Sequence, residues 1–156
     1  MRVTILAVGR LRAGPEASLV ADYLARFDRT GRPLGLGPAQ VVEVEDRRGG
    51  GPAGEAPLLA AALPRGAYLV ALDERGPSLD SPGLALLLRR TADAGARELA
   101  FAIGGADGLD PGFRDGARDT LSLGRMVWPH LLVRVMLAEQ LYRAASILAG
   151  TPYHRG

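Results

Sequence analysis

Short apolar runs alternate with helix-like segments along this chain, and no other feature restricts its fold as strongly. Four runs have the length and apolar content of β-strands, namely Arg2–Val8, Gln40–Glu45, Ala67–Asp73 and Glu98–Ile103. Helical patterns lie between them, at 20–27, 55–63 and 82–94. This alternation predicts an α/β fold, with a mainly parallel sheet and helices on both faces. Ligands of such sheets bind beyond the carboxyl ends of the strands, so the loops that follow the strands are the candidate sites.

Length and composition predict one compact domain over residues 1–156, because a chain that is 47% hydrophobic can bury a core of its own at this size. There is no cysteine and no pattern of a cleaved leader, so we expect a cytoplasmic protein. The longest apolar stretch is interrupted by Arg134, Glu139 and Arg143, which argues against a membrane span. The net charge is only +2. Residues 120–156, however, carry four Arg and two His against one Glu, which favours a polyanionic partner.

Three loops follow predicted strands. The Gly-rich segment 46–54 offers nothing to bury, so we expect a mobile loop there. Residues 104–108 resemble a nucleotide-binding turn ahead of a helix start at Asp110 and Pro111, although the glycines could equally serve a tight turn. Residues 120–123 and 126–128 suggest a last short strand and its exit. The glycine and apolar groups of 123–130 could wrap an adenine, or form a buried connection.

The last helix is predicted over Leu131–Ala149 and should be buried on most of its circumference. At 100° per residue, Arg134 falls on its apolar face, nearly opposite Glu139 and Arg143. A charge there needs a partner: it could reach water along its stem, or face a ligand or a subunit interface. Glu139 and Arg143 have the i, i+4 spacing of a helix-surface ion pair.

The C-terminal tail, Thr151–Gly156, concentrates reactive groups: the phenol of Tyr153, the imidazole of His154 and the guanidinium of Arg155. Chain ends normally fray, so such a group of side chains indicates a site only if the end is held in place. The sequence has no thiol, no G-x-S-x-G motif and only two histidines, without an obvious carboxylate cluster beside them. A hydrolase or a zinc enzyme is therefore not expected, and no metal site is predicted.

Five segments, in this order along the chain, resemble the signatures of the RlmH family, the bacterial large-subunit (23S) rRNA pseudouridine N3-methyltransferases of the SPOUT superfamily. Each segment alone is weak evidence, whereas the ordered set is specific and extends over the whole chain. The segments are Leu72–Gly76, Ile103–Gly108, Pro129–Arg134, Ala138–Ala144 and Pro152–Arg155. Departures from the family pattern lie at 46–54, at Thr151 and at Gly156.

The resemblance implies a C-terminal trefoil knot, a homodimer with sites formed across its interface, and S-adenosylmethionine held in the knot. The implied cofactor residues are Leu72, Gly105, Leu123, Gly124, Arg125, Met126, Val127 and Trp128. Glycines at 104, 105 and 124 would let backbone approach the ligand. The implied reaction is methylation of N3 of a pseudouridine in the helix 69 loop of 23S rRNA, on the assembled ribosome.

In the catalytic set that the resemblance implies, His154 is a reasonable general base, because an imidazole exchanges protons near neutral pH. Tyr153, Arg155 and Arg134 would position the RNA or stabilise the anion that develops on the base.

Two other classes stay open. A flavodoxin-like nucleotide-binding protein would share the alternation of strands and helices but would not need the reactive tail. A non-catalytic, ribosome-associated RNA-binding dimer would keep the basic surface without a methyl-donor site.

Overall fold

The computed structural model describes residues 1–155; Gly156, the last residue of the predicted reactive tail, lies outside the described residues. Five parallel strands form one sheet in the order β2-β1-β4-β3-β5. The strands are β1 (Arg2–Val8), β2 (Ala39–Val44), β3 (Tyr68–Leu72), β4 (Glu98–Ile103) and β5 (Asp119–Leu121). The helices are α1 (Pro15–Gly31), α2 (Gly51–Ala62), α3 (Ser81–Asp93), α4 (Pro111–Asp115) and α5 (His130–Leu148), with a 3-10 turn at Arg32–Leu34. The predicted α/β class and parallel sheet are confirmed.

The core forms on both faces of the two central strands. Along β1, Val3, Ile5 and Ala7 join the larger hydrophobic cluster on one face, whereas Leu6 and Val8 join a smaller cluster on the other. This two-residue alternation, with apolar residues on both sides, is what a strand covered by helices on both faces requires. Helices α1, α3 and α5 cover the first face, and α2 covers the second through Leu59.

Helix α5 packs chiefly against α1, its long neighbour on that face. Leu137, Leu141 and Ala144 are fully buried there, together with Phe27 of α1. The opposite side of α5, which carries Glu139, is only half-buried. The expected burial is therefore confirmed for one side of the helix and is incomplete on the other.

Several predicted boundaries were wrong. The expected mobile loop at 46–54 is an ordered turn followed by the first turn of α2, which begins at Gly51. The Asp46 carboxylate accepts hydrogen bonds from the backbone N–H groups of Arg48 (3.0 Å) and Gly50 (2.6 Å), and Pro52 presets a helical φ. The last strand, predicted at 120–123, spans Asp119–Leu121, where it pairs with the last three residues of β3, and residues 126–128 follow it outside any strand, as the predicted exit.

The chain after β5 runs from one edge of the sheet back toward its centre. Ser122 pairs beside Ser78, and its Oγ donates to the Glu74 carbonyl (3.2 Å). Eight residues later, the ring of His130 lies beside Gly9, which follows β1. Residues 122–129 therefore pass across the carboxyl ends of β3 and β4, a path consistent with the expected knot.

Candidate functional site

A cavity of about 420 Å³ opens at the carboxyl ends of β3, β4 and β5. Three loops and the start of α5 supply its walls. Its lining comprises residues 72–75, 103–109, 121, 123, 124, 126–128, 130 and 133. The structure thus brings together seven of the eight residues that the resemblance implied for the cofactor, and it leaves Arg125 outside the lining. Arg125 is exposed.

The glycine loop, residues 104–108, folds back on itself so tightly that one position tolerates no side chain. A Cβ at Gly104 would lie 2.3 Å from the carbonyl carbon of Gly108. The N–H of Gly108 donates to the Gly105 carbonyl (3.2 Å), which closes the turn. Asp110 then caps α4 by accepting from the Phe113 N–H (3.1 Å), as its place before Pro111 predicted.

The vacant Cβ position of Gly105 faces the protein and not the cavity. A side chain there would meet the Glu55 carboxylate at 3.1 Å and Val8 at 3.3 Å. Burial raises the pKa of Glu55, although the N–H of Gly105 donates to its carboxylate and acts in the opposite direction. Glycine at 105 was expected to let a ligand approach the backbone. Its missing side chain would point toward Glu55 and away from the cavity, so on that side the expectation is wrong and the glycine makes room for Glu55.

The loop at 122–128 is shaped by Gly124, whose φ of 118° disfavours any other residue. The Gly124 N–H donates to the Ser122 Oγ (3.2 Å), which holds the turn. Met126 and Val127 are exposed to 65% and 82%, although both are apolar. The buried indole Nε1 of Trp128 has no hydrogen-bond partner among residues 1–155. This loop thus offers an uncovered apolar surface at the mouth of the cavity.

The loop after β3, residues 73–75, forms the third wall of the cavity and contains a compact ionic cluster around Asp73. Its carboxylate accepts from the backbone N–H of Arg75 (2.8 Å) and from the guanidinium of Arg114 (3.0 Å). Burial by itself would raise the pKa of Asp73, but these hydrogen bonds lower it overall. Asp73 is therefore an anion that fixes the loop after β3 against α4. The sequence had indicated it only as part of the Leu72–Gly76 segment.

Arg134 is the largest fully buried side chain among the described residues. Its guanidinium pairs with Glu43 of β2 (2.8 Å) and donates to the carbonyls of Val8 and Gly9 (2.8 Å to the latter). The expectation that its stem could carry it to water is wrong, because the side chain is fully buried and acceptors at the ends of β1 and β2 bind its two terminal nitrogens, although its Nε has no partner among the described residues. Glu43 could not be identified as its partner from the sequence, since the two lie 91 positions apart.

His130 lies between Arg134 and the cavity and was missed as a lining residue. Burial lowers the pKa of His130, and the neighbouring charge of Arg134 lowers it further. A neutral imidazole is thereby favoured at the cavity wall. Its position directly after the 123–128 loop was the available signal.

The tail is anchored to the C-terminal half of its own α5. The Tyr153 hydroxyl donates to Glu139 Oε1 (2.9 Å), and the same oxygen accepts from Arg143 Nε (3.0 Å). The Tyr153 ring also lies 4.4 Å from the Tyr142 ring, between centroids, and 4.7 Å from the Arg143 guanidinium carbon. The Glu139–Arg143 pair is confirmed, but it is more than a surface pair because it holds the tail.

These contacts make Tyr153 a hydrogen-bond donor. Burial raises the pKa of Tyr153, and the bond to Glu139 raises it further, so the phenol keeps its proton. His154 is half-buried, and its Nδ1 has no partner among the described residues. Arg155 is exposed.

The cavity lies at the start of α5, whereas the tail leaves the end of the helix and folds back toward its middle. His130 opens the helix and lines the cavity, whereas Thr151 follows its end. The tail folds back along the helix, because Tyr153 bonds to Glu139, which lies nine residues after His130 and therefore about 14 Å from it along the helix axis. The structure does not bring His154, Tyr153 and Arg155 to the cavity of their own chain.

A second cavity, of about 610 Å³, lies beside the tail's anchor, between α1, α3 and α5. Glu139 and Gln140 form part of its wall, together with Leu19 and Tyr23 of α1 and Met136 of α5. Leu19 and Leu79 are 45% and 43% exposed there. This face is thus largely apolar and uncovered in the single chain.

Among residues 1–155, no three His, Cys, Asp or Glu side chains come together in a way that could hold a metal ion. Within the same residues, no helix combines the length and apolar content needed to cross a membrane.

Comparison with known proteins agrees with this architecture. The family model described as "Predicted SPOUT methyltransferase" matches residues 1–154. A crystal structure of a probable methyltransferase from Bordetella pertussis Tohama I shares the fold, with a TM-score of 0.55 and 17% identity over 92% of this chain and 96% of that one.

Curated relatives match along nearly their entire length. Proteins named "Ribosomal RNA large subunit methyltransferase H" from Dinoroseobacter shibae, Ruegeria pomeroyi and Paracoccus denitrificans are 68%, 65% and 64% identical to this chain. Each alignment covers 99% of this chain and 99% of the relative. The chain belongs to the SPOUT methyltransferase family, in the group whose curated members carry that name.

Proposed function

We propose that this protein transfers a methyl group from S-adenosylmethionine to N3 of a pseudouridine in the helix 69 loop of 23S rRNA, on the assembled ribosome. One observation carries the proposal: the loops that match the family signatures enclose a cavity at the carboxyl ends of the strands. The names of the relatives support large-subunit rRNA as the substrate. A cytoplasmic location is part of the proposal, because the ribosome is the substrate.

The cavity suits adenosylmethionine in size and in character. Its volume of about 420 Å³ falls in the range of roughly 300–1,000 Å³ that is usual for small-molecule sites. Leu72, Ile103 and Val133 offer apolar contact for a purine, while the glycine loop offers backbone polar groups. When bound, the cofactor supplies an electrophilic methyl group. We assign the cofactor contacts to the lining residues and therefore leave Arg125 out of that set.

The tail supplies the proton chemistry in this proposal. The N3 proton of the base must leave before a methyl group can bond there, and His154 is the group that we assign to accept it. Tyr153 keeps its proton and so can donate a hydrogen bond to the anion that develops on the base. Arg155, exposed at the end of the tail, offers positive charge to the RNA. Arg134 is a positioning residue here, because it is buried and holds the end of β1 against α5.

The separation of tail and cavity supports a homodimer with composite sites. The reactive residues of the tail are absent from the lining of the cavity in their own chain, and the family resemblance implies that the tail acts at a site shared between two copies. The uncovered apolar face between α1 and α5 offers a surface for that copy to bury. The tail bonds to its own α5, so that helix can present it to the partner.

Mixing two inactive variants tests the composite site. One variant lacks residues 152–156, and the other carries Gly104→Val, whose side chain would overlap the Gly108 carbonyl and so distort the glycine loop of the cavity. In random mixed dimers, half of the dimers are hybrids and each hybrid has one intact site, so activity should return to roughly a quarter of the wild-type value. No recovery, despite subunit exchange shown by native mass spectrometry, would contradict composite sites.

The reaction itself is tested on ribosomes. Mass spectrometry of large-subunit rRNA from cells lacking the gene should show one pseudouridine without its methyl group, and the purified protein with adenosylmethionine should restore it. The alternative, a non-catalytic ribosome-associated RNA-binding dimer, predicts no cofactor affinity and no missing methyl group. Calorimetry with adenosylmethionine decides between the two.

A further inference from the structure

Four exposed arginines lie on two neighbouring loops that follow β1 and β2: Arg10, Arg12, Arg47 and Arg48. We infer that this basic rim binds backbone phosphates of the rRNA substrate and holds the RNA beside the cavity. The inference rests on the function proposed above and extends it to a surface outside the cavity and the tail.

The first loop of the rim is held rigidly from beneath. Glu43 Oε1 accepts from the backbone N–H of Leu11 (2.7 Å) and from the buried Arg134 guanidinium (2.8 Å). Arg134 also donates to the Gly9 carbonyl (2.8 Å), and the N–H of Gly9 donates to Val44 (2.8 Å). Leu11 packs on the main core. A surface loop thus has every second residue fixed, and the residues in between project outward.

Those residues in between are the two arginines. Arg10 and Arg12 flank the anchored Leu11, and both are exposed. A fixed backbone reduces the conformational freedom that an arginine loses when it binds, because only the side chain remains to be ordered. The ion pair of the buried Arg134 with Glu43 thus acts at the surface, because it fixes the backbone that carries the guanidinium groups of Arg10 and Arg12.

The second loop is also ordered and lies next to the first. Asp46 holds its turn through the backbone N–H groups of Arg48 and Gly50, so its two oxygens are taken up by backbone donors. Glu45 lies 3.8 Å from Arg10 and 3.7 Å from Arg47, which joins the two loops. The side chains of Arg10 and Arg47 remain 68% and 80% exposed, so this shared contact with Glu45 is weak.

The charge balance of the rim favours a polyanion. Residues 9–14 and 45–50 contain four arginines and two acids, a net charge of +2 that equals the net charge of the whole chain. Among the described residues, the side chains of Arg12 and Arg48 form no ion pair. Guanidinium groups bind phosphate oxygens through paired N–H donors, and such contacts carry much of the affinity for nucleic acid without reading its sequence.

The rim borders the cavity on the side of β1. Gly9 lies beside His130, a lining residue, because a Cβ on Gly9 would be 3.9 Å from the His130 Nε2. The second loop leads into α2, whose Glu55 contacts the glycine loop at Gly105. RNA that lies along the rim would therefore run past the mouth of the cavity where the base must enter.

A salt titration tests the rim. The double variant Arg10→Gln/Arg12→Gln should bind large ribosomal subunits roughly 10–100-fold more weakly in sedimentation at low salt. The slope of log K against log[KCl] should become shallower by about 2, one for each phosphate contact removed. The KM for ribosomes should rise by a similar factor while kcat stays within about twofold. Affinity for adenosylmethionine should not change.

The matched control is Arg65→Gln/Arg97→Gln. It removes the same charge from exposed sites that precede β3 and β4, at the amino ends of the strands and so on the opposite side of the sheet from the rim. This control should leave the slope and the KM at their wild-type values. Equal losses of affinity for ribosomal subunits in both double variants would mean that only net charge matters, and the inference that the rim binds RNA would be wrong.

Three further outcomes are informative, and the first two separate the inference from its premise. If the wild-type protein methylates rRNA and Arg10→Gln/Arg12→Gln retains the wild-type slope and KM, the rim is wrong and the proposed function stands. If the wild-type protein neither binds adenosylmethionine nor methylates rRNA, the proposed function fails first. A loss of binding to ribosomal subunits but not to protein-free large-subunit rRNA would overturn the rim by assigning it to an acidic ribosomal protein.

Discussion

The cavity at the start of α5 is formed mainly by backbone, whereas the tail that follows α5 is held by side chains. The cavity is enclosed by loops whose shape depends on backbone, with a glycine at 104 that tolerates no Cβ and a glycine at 124 in the left-handed region. The tail that follows the end of α5 folds back and is held by side chains, with Glu139 in the middle of the helix bound to both Tyr153 and Arg143. A backbone-built site can hold a ligand in a fixed shape. A side-chain network can present acid, base and charge.

That difference predicts two separable functions. Changes at the cavity should alter cofactor affinity, whereas changes at the tail should alter the rate of methyl transfer with cofactor affinity intact. Within one chain the cavity and the anchor of the tail are joined by α5 and by Leu121, Leu123 and Gly124, which line both this cavity and the one beside Glu139. A variant that affects both quantities equally would break the distinction.

The largest effect is expected at the tail. Removing residues 152–156 should abolish methylation of ribosomes, and His154→Ala alone should lower kcat by roughly 10²–10⁴ if the imidazole is the general base. A rise in pH should partly rescue His154→Ala, because hydroxide can then remove the proton. Adenosylmethionine affinity, measured by calorimetry, should stay at the wild-type value in both variants. Full activity of the truncated protein would show that the tail has no part in the reaction.

A smaller loss is expected when the anchor of the tail is weakened. Glu139→Gln keeps an acceptor for Tyr153 but removes the charge that binds Arg143, so the tail should lose its fixed place and kcat should fall about 10–100-fold. Asp93→Asn is the matched control, since it breaks another i, i+4 pair, with Arg89, far from the tail. Single-turnover methylation measures both. If Asp93→Asn costs as much as Glu139→Gln, the anchor has no special role.

At the cavity, the expected effect appears in affinity. Gly124→Ala forces a non-glycine residue to φ 118° without a steric clash, because nothing lies within 4 Å of its Cβ position. The strain, of about 1–3 kcal/mol, should weaken adenosylmethionine binding roughly tenfold, with little change in kcat at saturation. Arg125→Ala, one residue along and outside the cavity lining, should bind as the wild type does. An Arg125→Ala variant weaker than Gly124→Ala would return Arg125 to the cofactor site.

The sequence was a better guide to the cavity than to the anchors. Periodicity located the sheet and most helices, and ordered motifs located the cavity loops, because both signals are local. The partner of Arg134 could not be found in this way, since Glu43 comes beside it only through the packing of α5 on the end of the sheet. The order at 46–54 was missed for the opposite reason: one aspartate that bonds two backbone amides outweighs a run of glycines.

The smallest effect concerns pH and stability at the cavity end. Burial, and then Arg134, lower the pKa of His130 from its ordinary 6.5, so the unfolded chain binds more protons at that residue than the folded one does. The stabilising contribution of the neutral imidazole is therefore complete above pH 6.5 and is lost as the pH falls below it. Urea unfolding between pH 8 and pH 5 should show a steeper decline for the wild type than for His130→Gln, which stays neutral throughout. Parallel curves would mean that His130 is equally free to take up a proton in both states, and the cavity wall would then tolerate a second cation beside Arg134.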